Sequence, residues 1–358
     1  MKRRDFVKLT AASAALPFIS SRLNAAESEQ NWRTFRLTYH INLPAKGAHA
    51  SLWLPLPQTA TDGWQHAGKV EWAGEADSRQ VIDDKQADAS YYNASWQDDK
   101  SRQCLVSCVA RSADRNVSIK TLATKRKASL PADVREFLKP SRHIQLDGIV
   151  LDTAREATKG ATTPLEKAHA VYQWVVENSF RNPTTQGCGI GDIKSMLEMG
   201  NLGGKCADIS SLFVGLARAS GIPAREVFGI RAAESKLFKS LGKAGGDVTR
   251  AQHCRAEFYL AGHGWVPVDP ADVRKAVLEE NLPLNDPKIA ALRAKLFGHW
   301  EMNWVAFNHA RDFSLKPRAT SNPINFLMYP YAELAGTPRE QLVPEQFIYR
   351  ITAEELAA

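Results

Sequence analysis

The sequence predicts an α+β protein, because strand-like and helix-like segments are separated along the chain. Residues 31–127 alternate apolar and polar side chains, which is the pattern of half-buried strands. Residues 133–180 and 206–218 instead place apolar side chains at helical spacing, and residues 253–268 return to strand-like alternation. A chain of 358 residues, 44% of them hydrophobic, is long enough for two or three domains.

The first 26 residues have the features of an export signal. A basic start precedes a short apolar run over residues 9–19 and a small-residue cleavage site ending at Ala26. The paired Arg3-Arg4 resembles the twin-arginine export signal of bacteria. We therefore expect residues 1–26 to engage the twin-arginine export machinery and the mature chain to be periplasmic.

The charge of the chain carries little information about partners once that signal is removed. The formal net charge is +7, and residues 1–26 contribute +4 of it, which leaves +3. Beyond residue 26 no basic run is interleaved with aromatic side chains, and no apolar run reaches the roughly 18 residues of a membrane span. We expect neither nucleic-acid binding nor a membrane span in the mature chain.

Composition and periodicity divide the mature chain into three predicted segments. Residues 30–127 are expected to form a small β-sandwich domain, in which strands at 35–41 and 52–56 pair as a hairpin. Residues 128–275 mix helix and strand patterns and contain the candidate site. Residues 276–358 are expected to form an extension that packs back on this central segment.

Five cysteines, at positions 104, 108, 188, 206 and 254, leave at least one thiol unpaired in an oxidising compartment. Cys104 and Cys108 lie four residues apart on one predicted strand, so their Cα atoms are about 13 Å apart and cannot share a disulfide. No cysteine pair has zinc-finger spacing. No metal site is therefore expected.

Cys206 lies at the start of a predicted helix. Apolar side chains from Cys206 to Ala217 share one helical face, and Gly221 with Pro223 ends the helix. A thiol in the first turn lies near unpaired backbone N–H groups and the positive end of the helix dipole, which favour the thiolate. The glycines at 203–204 leave room for an acyl substrate. Taken alone, a buried small apolar side chain explains Cys206 as well.

A predicted hairpin places a histidine and a carboxylate on one face. In the strand from His253 to Leu260 the apolar side chains face one way, so His253 projects from the other. The next strand ends at Asp269, which also faces away from its apolar neighbours. A turn centred near residue 261 would make His253 and Asp269 direct partners, whereas a turn centred on His263 would place Asp269 opposite Glu257. The sequence leaves both registers open.

Together these three residues suit acyl transfer by an activated thiol. Cys206 would attack a carbonyl, His253 would hold the thiolate and protonate the leaving amine, and Asp269 would fix the imidazole tautomer. Separately, Asp269 could be a turn residue before Pro270, and His253 a surface strand residue. The joint arrangement favours catalysis, and it requires no cofactor.

The same residues resemble a known family. Gly-Gly-Lys-Cys-Ala-Asp at 203–208, Gly-Ile-Pro-Ala-Arg at 221–225, the His253 strand and Gly-Trp-Val-Pro-Val-Asp-Pro at 264–270 are similar to the bacterial transglutaminase-like superfamily, often described as cysteine proteases. The resemblance covers roughly residues 160–275. It implies that Cys206, His253 and Asp269 form a catalytic triad. It also implies a papain-like transglutaminase core in which the cysteine helix packs on an antiparallel sheet.

Two details of the site depart from the family or stay open. The family completes its oxyanion hole with an upstream side chain, for which Trp174, Gln186 and Asn201 are candidates. Many relatives carry an aromatic residue two positions after the histidine, where this chain has Arg255. We expect Arg255 to bind a substrate carboxylate near the thiol. An ion pair between Arg255 and Glu257 on the same strand face is the alternative.

Three functions compete. The first is hydrolysis of a peptide or other amide bond in a peptide or protein substrate, with transamidation and protein cross-linking as the alternative fate of the acyl-enzyme. The second is a catalytically silent scaffold that binds peptides or cell-wall material. The third is a metal-binding protein that uses His253, Cys254 and Cys188, although neighbouring residues 253 and 254 point to opposite faces of their strand.

Overall fold

The computed structural model describes residues 31–44, 49–97, 101–119, 129–344 and 349–357. The predicted export signal, residues 1–26, lies outside the described residues. Within them the α+β prediction is confirmed: helices cover one face of a curled antiparallel sheet, and a second antiparallel sheet packs on the other side.

The strands and helices are bounded as follows. The strands are β1 (Trp32–Asn42), β2 (Ala50–Pro55), β3 (Gln65–Gly74), β4 (Ser78–Asp84), β5 (Ala89–Trp96), β6 (Gln103–Ala113), β7 (Arg115–Asn116), β8 (Phe180–Arg181), β9 (Gly203–Gly204), β10 (Ala224–Arg231), β11 (Gly246–Asp247), β12 (Gln252–Leu260), β13 (Gly264–Val268), β14 (His299–Trp300), β15 (Trp304–Asn308), β16 (Tyr331–Leu334), β17 (Thr337–Pro338) and β18 (Tyr349–Leu356). The α-helices are α1 (Ala132–Arg135), α2 (Ile149–Ala157), α3 (Pro164–Asn178), α4 (Ile193–Glu198), α5 (Cys206–Ala219), α6 (Pro270–Glu279) and α7 (Pro287–Lys295), and short 3₁₀ turns cover Glu136–Leu138 and Lys239–Leu241.

Two antiparallel sheets organise the chain. The larger has the order β13-β12-β10-β15-β5-β2-β16-β17, with β4 added beside β5. The smaller has the order β11-β18-β1-β6-β3. One hydrophobic core lies between the helices and the strands around β12, and a second lies between the two sheets.

The expected hairpin between the first two long strands is wrong. Strand β1 pairs with β6 and β18, whereas β2 pairs with β5 and β16. Leu37 of β1 and Leu52 of β2 meet instead in the core between the sheets. Two strands that face each other across a sandwich show the same alternation as two strands side by side, so the sequence pattern predicts the strands but not their pairing.

The sheets cross the segment boundaries expected at residues 127 and 275. The C-terminal strand β18 pairs with β1 from Thr34 to Ile41, and β15 joins the central strand β10 to β5 of the N-terminal segment. The described residues from Asn31 onward form a single compact unit. The N-terminal strands are thus held by later parts of the chain.

Helix α5 is the element that the rest of the central segment packs around. Every residue from Cys206 to Arg218 is buried, and Phe213 contacts Phe258 of β12 with ring centroids 6.2 Å apart. A helix surrounded on all sides by packed elements holds its first residue in a fixed place. None of the helices in the described part of the chain combines the length and hydrophobicity that crossing a bilayer requires.

Candidate active site

Asp208 fixes the start of α5. Its Oδ1 accepts hydrogen bonds from the backbone N–H groups of Ile190 at 3.0 Å and Gly191 at 2.9 Å, and its Oδ2 accepts one from Lys205 at 3.0 Å. The Cys188 carbonyl accepts a hydrogen bond from Ala207 N–H at 2.9 Å. One carboxylate near the helix N-terminus therefore clamps the glycine-rich loop 186–191 beside Cys206.

The glycines before Cys206 make room for neighbouring side chains. A Cβ atom at Gly204 would overlap the Asp208 side chain, and one at Gly203 would overlap the Phe180 ring. A Cβ atom at Gly189, in the facing loop, would also overlap the Asp208 carboxylate. The space beside these glycines is therefore occupied by the side chains of Asp208 and Phe180. The sequence alone predicts that a substrate occupies it.

His253 and Asp269 are in direct contact. His253 Nε2 lies 2.8 Å from Asp269 Oδ2, and both side chains are buried. The hairpin register is neither of the two expected: Leu260 pairs with Gly264, which centres the turn on Gly262 with φ of +83°. Strand β13 ends at Val268, and the chain leaves the sheet there, which lets Asp269 reach back to His253.

Asp269 also caps the helix that follows it. Its Oδ1 accepts a hydrogen bond from Asp272 N–H at 2.9 Å, and Pro270 occupies the first turn of α6. The same carboxylate thus uses one oxygen to start a helix and the other to contact His253. A side chain held at both oxygens has little freedom to rotate, so the His253 ring is held in a fixed orientation.

The structure adds two residues that the sequence reasoning missed. Asp272 Oδ1 lies 3.4 Å from His253 Nε2, and Asp272 forms a buried ion pair with Arg231 of β10. The spacing of Asp269 and Asp272 by three residues at a helix start was a usable signal for Asp272, since both then lie in one helical turn. Arg231 had no such signal, because its partner is distant in sequence.

The surroundings of Cys206 and His253 shift the pKa values of these two side chains in opposite directions. Burial alone would raise the pKa of the Cys206 thiol, but hydrogen-bonding contacts with Cys188, Cys254 and His253 outweigh burial and hold this pKa well below its usual value. Burial and Arg231 lower the pKa of His253, yet the Asp272 and Asp269 carboxylates outweigh them and raise it. This combination favours a thiolate beside an imidazolium.

The other four cysteines remain thiols. Burial raises the pKa of Cys104 and of Cys108 to about 12. The pKa of Cys254 is raised well above its usual value by burial and then by its contact with Cys206, and that of Cys188 by its contact with Cys206 and then by burial. Cys188, which the sequence offered as a possible metal ligand, therefore lies against Cys206 as a hydrogen-bonding neighbour.

Arg255 lies behind the site. Its Nε atom is 3.4 Å from Asp269 Oδ2, its NH1 group donates to the Glu301 carbonyl at 3.0 Å, and its guanidinium lies 4.6 Å from the Trp304 ring centroid. Arg255 is buried and does not line the cleft described below. The alternative pairing is also absent from the described contacts, because Glu257 pairs with Arg115 and Arg225. Arg255 is therefore a neighbour of Asp269 within the protein interior.

The three candidates for the oxyanion hole lie outside the cleft. Trp174, Gln186 and Asn201 do not line it, and the Asn201 side chain accepts a hydrogen bond from Gly203 N–H at 3.1 Å. Gly187 and Cys188, next to Gln186 in sequence, do line the cleft.

Three side chains have the spacing of a metal site. One ligand atom each from His253, Asp269 and Asp272 lie within 4.8 Å of one another. Arg231 pairs with Asp272 and Arg255 lies beside Asp269, so two fixed cations already neutralise the two carboxylates. These cations oppose the binding of a further positive ion.

A relative and a family model decide the family of the chain. A protein from Haemophilus influenzae, described as uncharacterized, is 38% identical over an alignment of 372 positions, which covers 99% of this chain and 100% of the relative. The model of the transglutaminase-like superfamily matches residues 151–270, which contain Cys206, His253 and Asp269. The chain belongs to the transglutaminase-like superfamily.

Solved structures agree with this family in fold. The structure of a protein described as a putative cysteine protease from Cytophaga hutchinsonii matches with a TM-score of 0.57 at 14% identity and covers 92% of both chains. This likeness supports the papain-like transglutaminase fold. The periplasmic domain of TgpA from Pseudomonas aeruginosa matches less well, with a TM-score of 0.33 at 15% identity over 72% of this chain and 92% of that one.

A cleft of about 1250 Å³ opens beside the transglutaminase-like site. Cys188, Cys206 and His253 line it, together with His40 and Gly74 of the smaller sheet. The N-terminal strands, which carry no catalytic cluster in the sequence, thus form one wall of the space in front of the thiol.

Proposed function

We propose that the protein is a thiol-dependent acyltransferase acting on amide bonds, with Cys206, His253 and Asp269 as its catalytic triad. The observation that carries the proposal is the buried chain of contacts from the Cys206 thiol to His253 and from His253 Nε2 to Asp269 Oδ2, 2.8 Å away. The family, its cysteine-protease neighbour in fold and the opposite pKa shifts of the thiol and the imidazole support it.

The geometry suggests a role for each residue. The Cys206 thiolate attacks the amide carbonyl and forms a tetrahedral intermediate, whose collapse releases an amine. Because His253 Nε2 contacts Asp269, its Nδ1 is the nitrogen left to give the leaving amine a proton. Asp269, which is fixed by the N–H of Asp272, holds the ring in that orientation.

Hydrolysis is the fate of the acyl-enzyme that we favour, with transamidation as the alternative. A cleft of about 1250 Å³ exceeds the usual 300–1,000 Å³ of a small-molecule site and leaves space for water beside a bound peptide. Water is the acceptor present at the highest concentration, so an acyl-enzyme that admits it is hydrolysed. A silent binding scaffold is disfavoured, because such a protein would not need to depress the pKa of a buried thiol.

We also propose that the protein acts in the bacterial periplasm. The support is the basic, apolar and small-residue pattern of residues 1–26 with its paired Arg3-Arg4. The enzyme would then meet peptide or protein substrates outside the cytoplasm.

The reaction is tested by exposing a peptide library to the protein, with and without a primary amine such as cadaverine. We expect new peptide amino termini in mass spectra, reduced about 10³-fold or more in Cys206→Ala. Amine adducts in place of new termini would establish transamidation. Peptide binding without either product, unchanged by Cys206→Ala, would establish the silent scaffold and contradict the proposal.

A further inference from the structure

Most of the charged side chains that line the cleft in front of Cys206 are cations. Seven basic residues line it: Arg181, Lys205, Arg231, Lys243, Arg250, Lys275 and Arg350. Among the described residues, Asp247 is the one carboxylate that lines the same space. The mature chain has a formal net charge of only +3, so this concentration is local to the cleft.

One of these cations, Arg231, is neutralised inside the site. Arg231 forms a buried ion pair with Asp272, and Arg255 behind the site lies beside Asp269. Deprotonation of Cys206 with protonation of His253 adds no net charge. The catalytic centre is therefore close to neutral, and the positive charge lies around it.

Near the thiol, two cations share one carboxylate. Lys275 pairs with Glu279, and the Arg181 guanidinium lies 3.9 Å from the other Glu279 oxygen. Arg181 belongs to β8, which runs parallel to β9 and pairs with Gly204, two residues before Cys206. One carboxylate cannot neutralise both cations, so a net positive charge remains beside the cysteine.

A second group of two cations with one carboxylate lines the same cleft: Lys243, Arg350 and Asp247. The hydrogen bond from Thr249 and then the charges of Arg350 and Lys243 hold the pKa of Asp247 below its usual value. Arg350 lies on β18 opposite His40 of β1, and both residues line the cleft. Two cations again accompany one carboxylate, so a net positive charge remains in this part of the cleft as well.

We propose that the cleft selects acidic peptides, with substrate carboxylates held by Arg181 and Lys275 near Cys206 and by Lys243 and Arg350 elsewhere along the cleft. This inference rests on the proposed action on peptide amides and names the substrate class. Two substrate carboxylates, one at each pair of cations, would replace the solvent around these cations and align the backbone along the cleft. Binding of the substrate carboxylate, which the sequence predicts for Arg255, is thus proposed for residues that line the cleft.

Direct binding tests the proposal without requiring catalysis. Calorimetric titration of full-length Cys206→Ala would compare an end-blocked Ala-Glu repeat heptapeptide with its Gln twin. We expect the Glu peptide to bind at least tenfold more tightly at low salt, with the preference shrinking as ionic strength rises. Arg181→Gln and Arg350→Gln should each weaken its binding about threefold or more. Lys159→Gln, which removes an exposed charge outside the cleft, should leave it unchanged.

A second readout uses the reactivity of Cys206 in the otherwise unmodified protein. The ratio of alkylation rates with iodoacetate and iodoacetamide cancels the thiolate fraction and reports the local potential. We expect this ratio to fall about threefold or more in Arg181→Gln and to stay constant in Lys159→Gln. Equal binding of the Glu and Gln peptides, or a ratio unaffected by Arg181→Gln, would overturn the substrate class. Slow alkylation by both reagents together with selective Glu-peptide binding would instead remove the proposed triad and leave the anionic selectivity standing.

Discussion

At the scale of single residues, Cys206 and His253 lie beside the loop residue Cys188 and beside the ion pair of Arg231 with Asp272. Cys206 at a helix start and His253 on an alternating strand follow from local periodicity, which needs no knowledge of pairing. The contact of Cys188 with Cys206 joins a loop to a helix, and the pairing of Arg231 with Asp272 joins a strand to a helix. Such contacts depend on how elements pack, so no local pattern predicts them.

The contact with Cys188 yields a prediction about the thiol. A hydrogen bond from Cys188 favours the thiolate over the thiol, so Cys188→Ala should raise the apparent pKa of Cys206. The measurement is the pH dependence of Cys206 alkylation, followed by peptide mass mapping. Cys108→Ala, at a buried cysteine between the two sheets, is the control and should leave the midpoint unchanged. An unchanged midpoint in both variants would show that Cys188 has no part in stabilising the thiolate.

At the scale of elements, the hairpin shows what periodicity leaves open. The strand from His253 to Leu260 was predicted within one residue of β12, but alternation fits every register that differs by two. The left-handed Gly262 sets the turn, and the departure of the chain from the sheet at Asp269 brings the carboxylate to the histidine. Both features depend on backbone conformation at single positions.

The packing of Asp208 on the glycines gives the prediction at this scale. Gly204→Ala places a Cβ atom against the Asp208 side chain, and relieving that overlap must move the clamp that holds loop 186–191. We expect a loss of about 1–3 kcal/mol in the free energy of unfolding and slower Cys206 alkylation. Gly245→Ala is the matched control, because its Cβ atom would have 3.7 Å to its nearest neighbour. Equal denaturant midpoints for the two variants would refute the packing argument.

At the scale of the whole molecule, the two sheets join segments that composition separates. The domain boundaries at 127 and 275 are predicted from changes in the spacing of apolar residues. The pairing of strands that are far apart in sequence, such as β1 with β18, produces no pattern within a short stretch of sequence. Glu257 of β12 is one such junction. It pairs with Arg115 from the N-terminal segment and with Arg225 of β10 at 2.6 Å.

This junction predicts a pH-dependent contribution to stability. Burial alone would raise the pKa of Glu257, but Arg115, Arg225 and His309 outweigh it and lower the pKa to about 2. Since an unfolded glutamate titrates at about 4.3, the contribution is complete above that pH and is lost as the pH falls toward 2. Glu257→Gln should cost about 3–5 kcal/mol near neutral pH and flatten the acid limb of stability. Chemical denaturation between pH 2.5 and 7 measures both effects.

The control for this junction is an exposed pair of the same chemistry. Glu71 pairs with Lys69 on the surface, so Glu71→Gln should leave the stability curve close to that of the unchanged protein. If Glu257→Gln behaved like Glu71→Gln, the buried network would not hold the segments together.

The most direct test of the central claim is the rate of Cys206 alkylation by iodoacetamide between pH 4 and 10, in the unchanged protein and in His253→Ala. An imidazolium-stabilised thiolate predicts rapid labelling well below the ordinary thiol pKa of about 8.5, with the midpoint shifted toward that value in the variant. A midpoint at or above 8.5 in both proteins would contradict the claim, because Cys206 would then be a buried thiol that His253 does not stabilise as a thiolate.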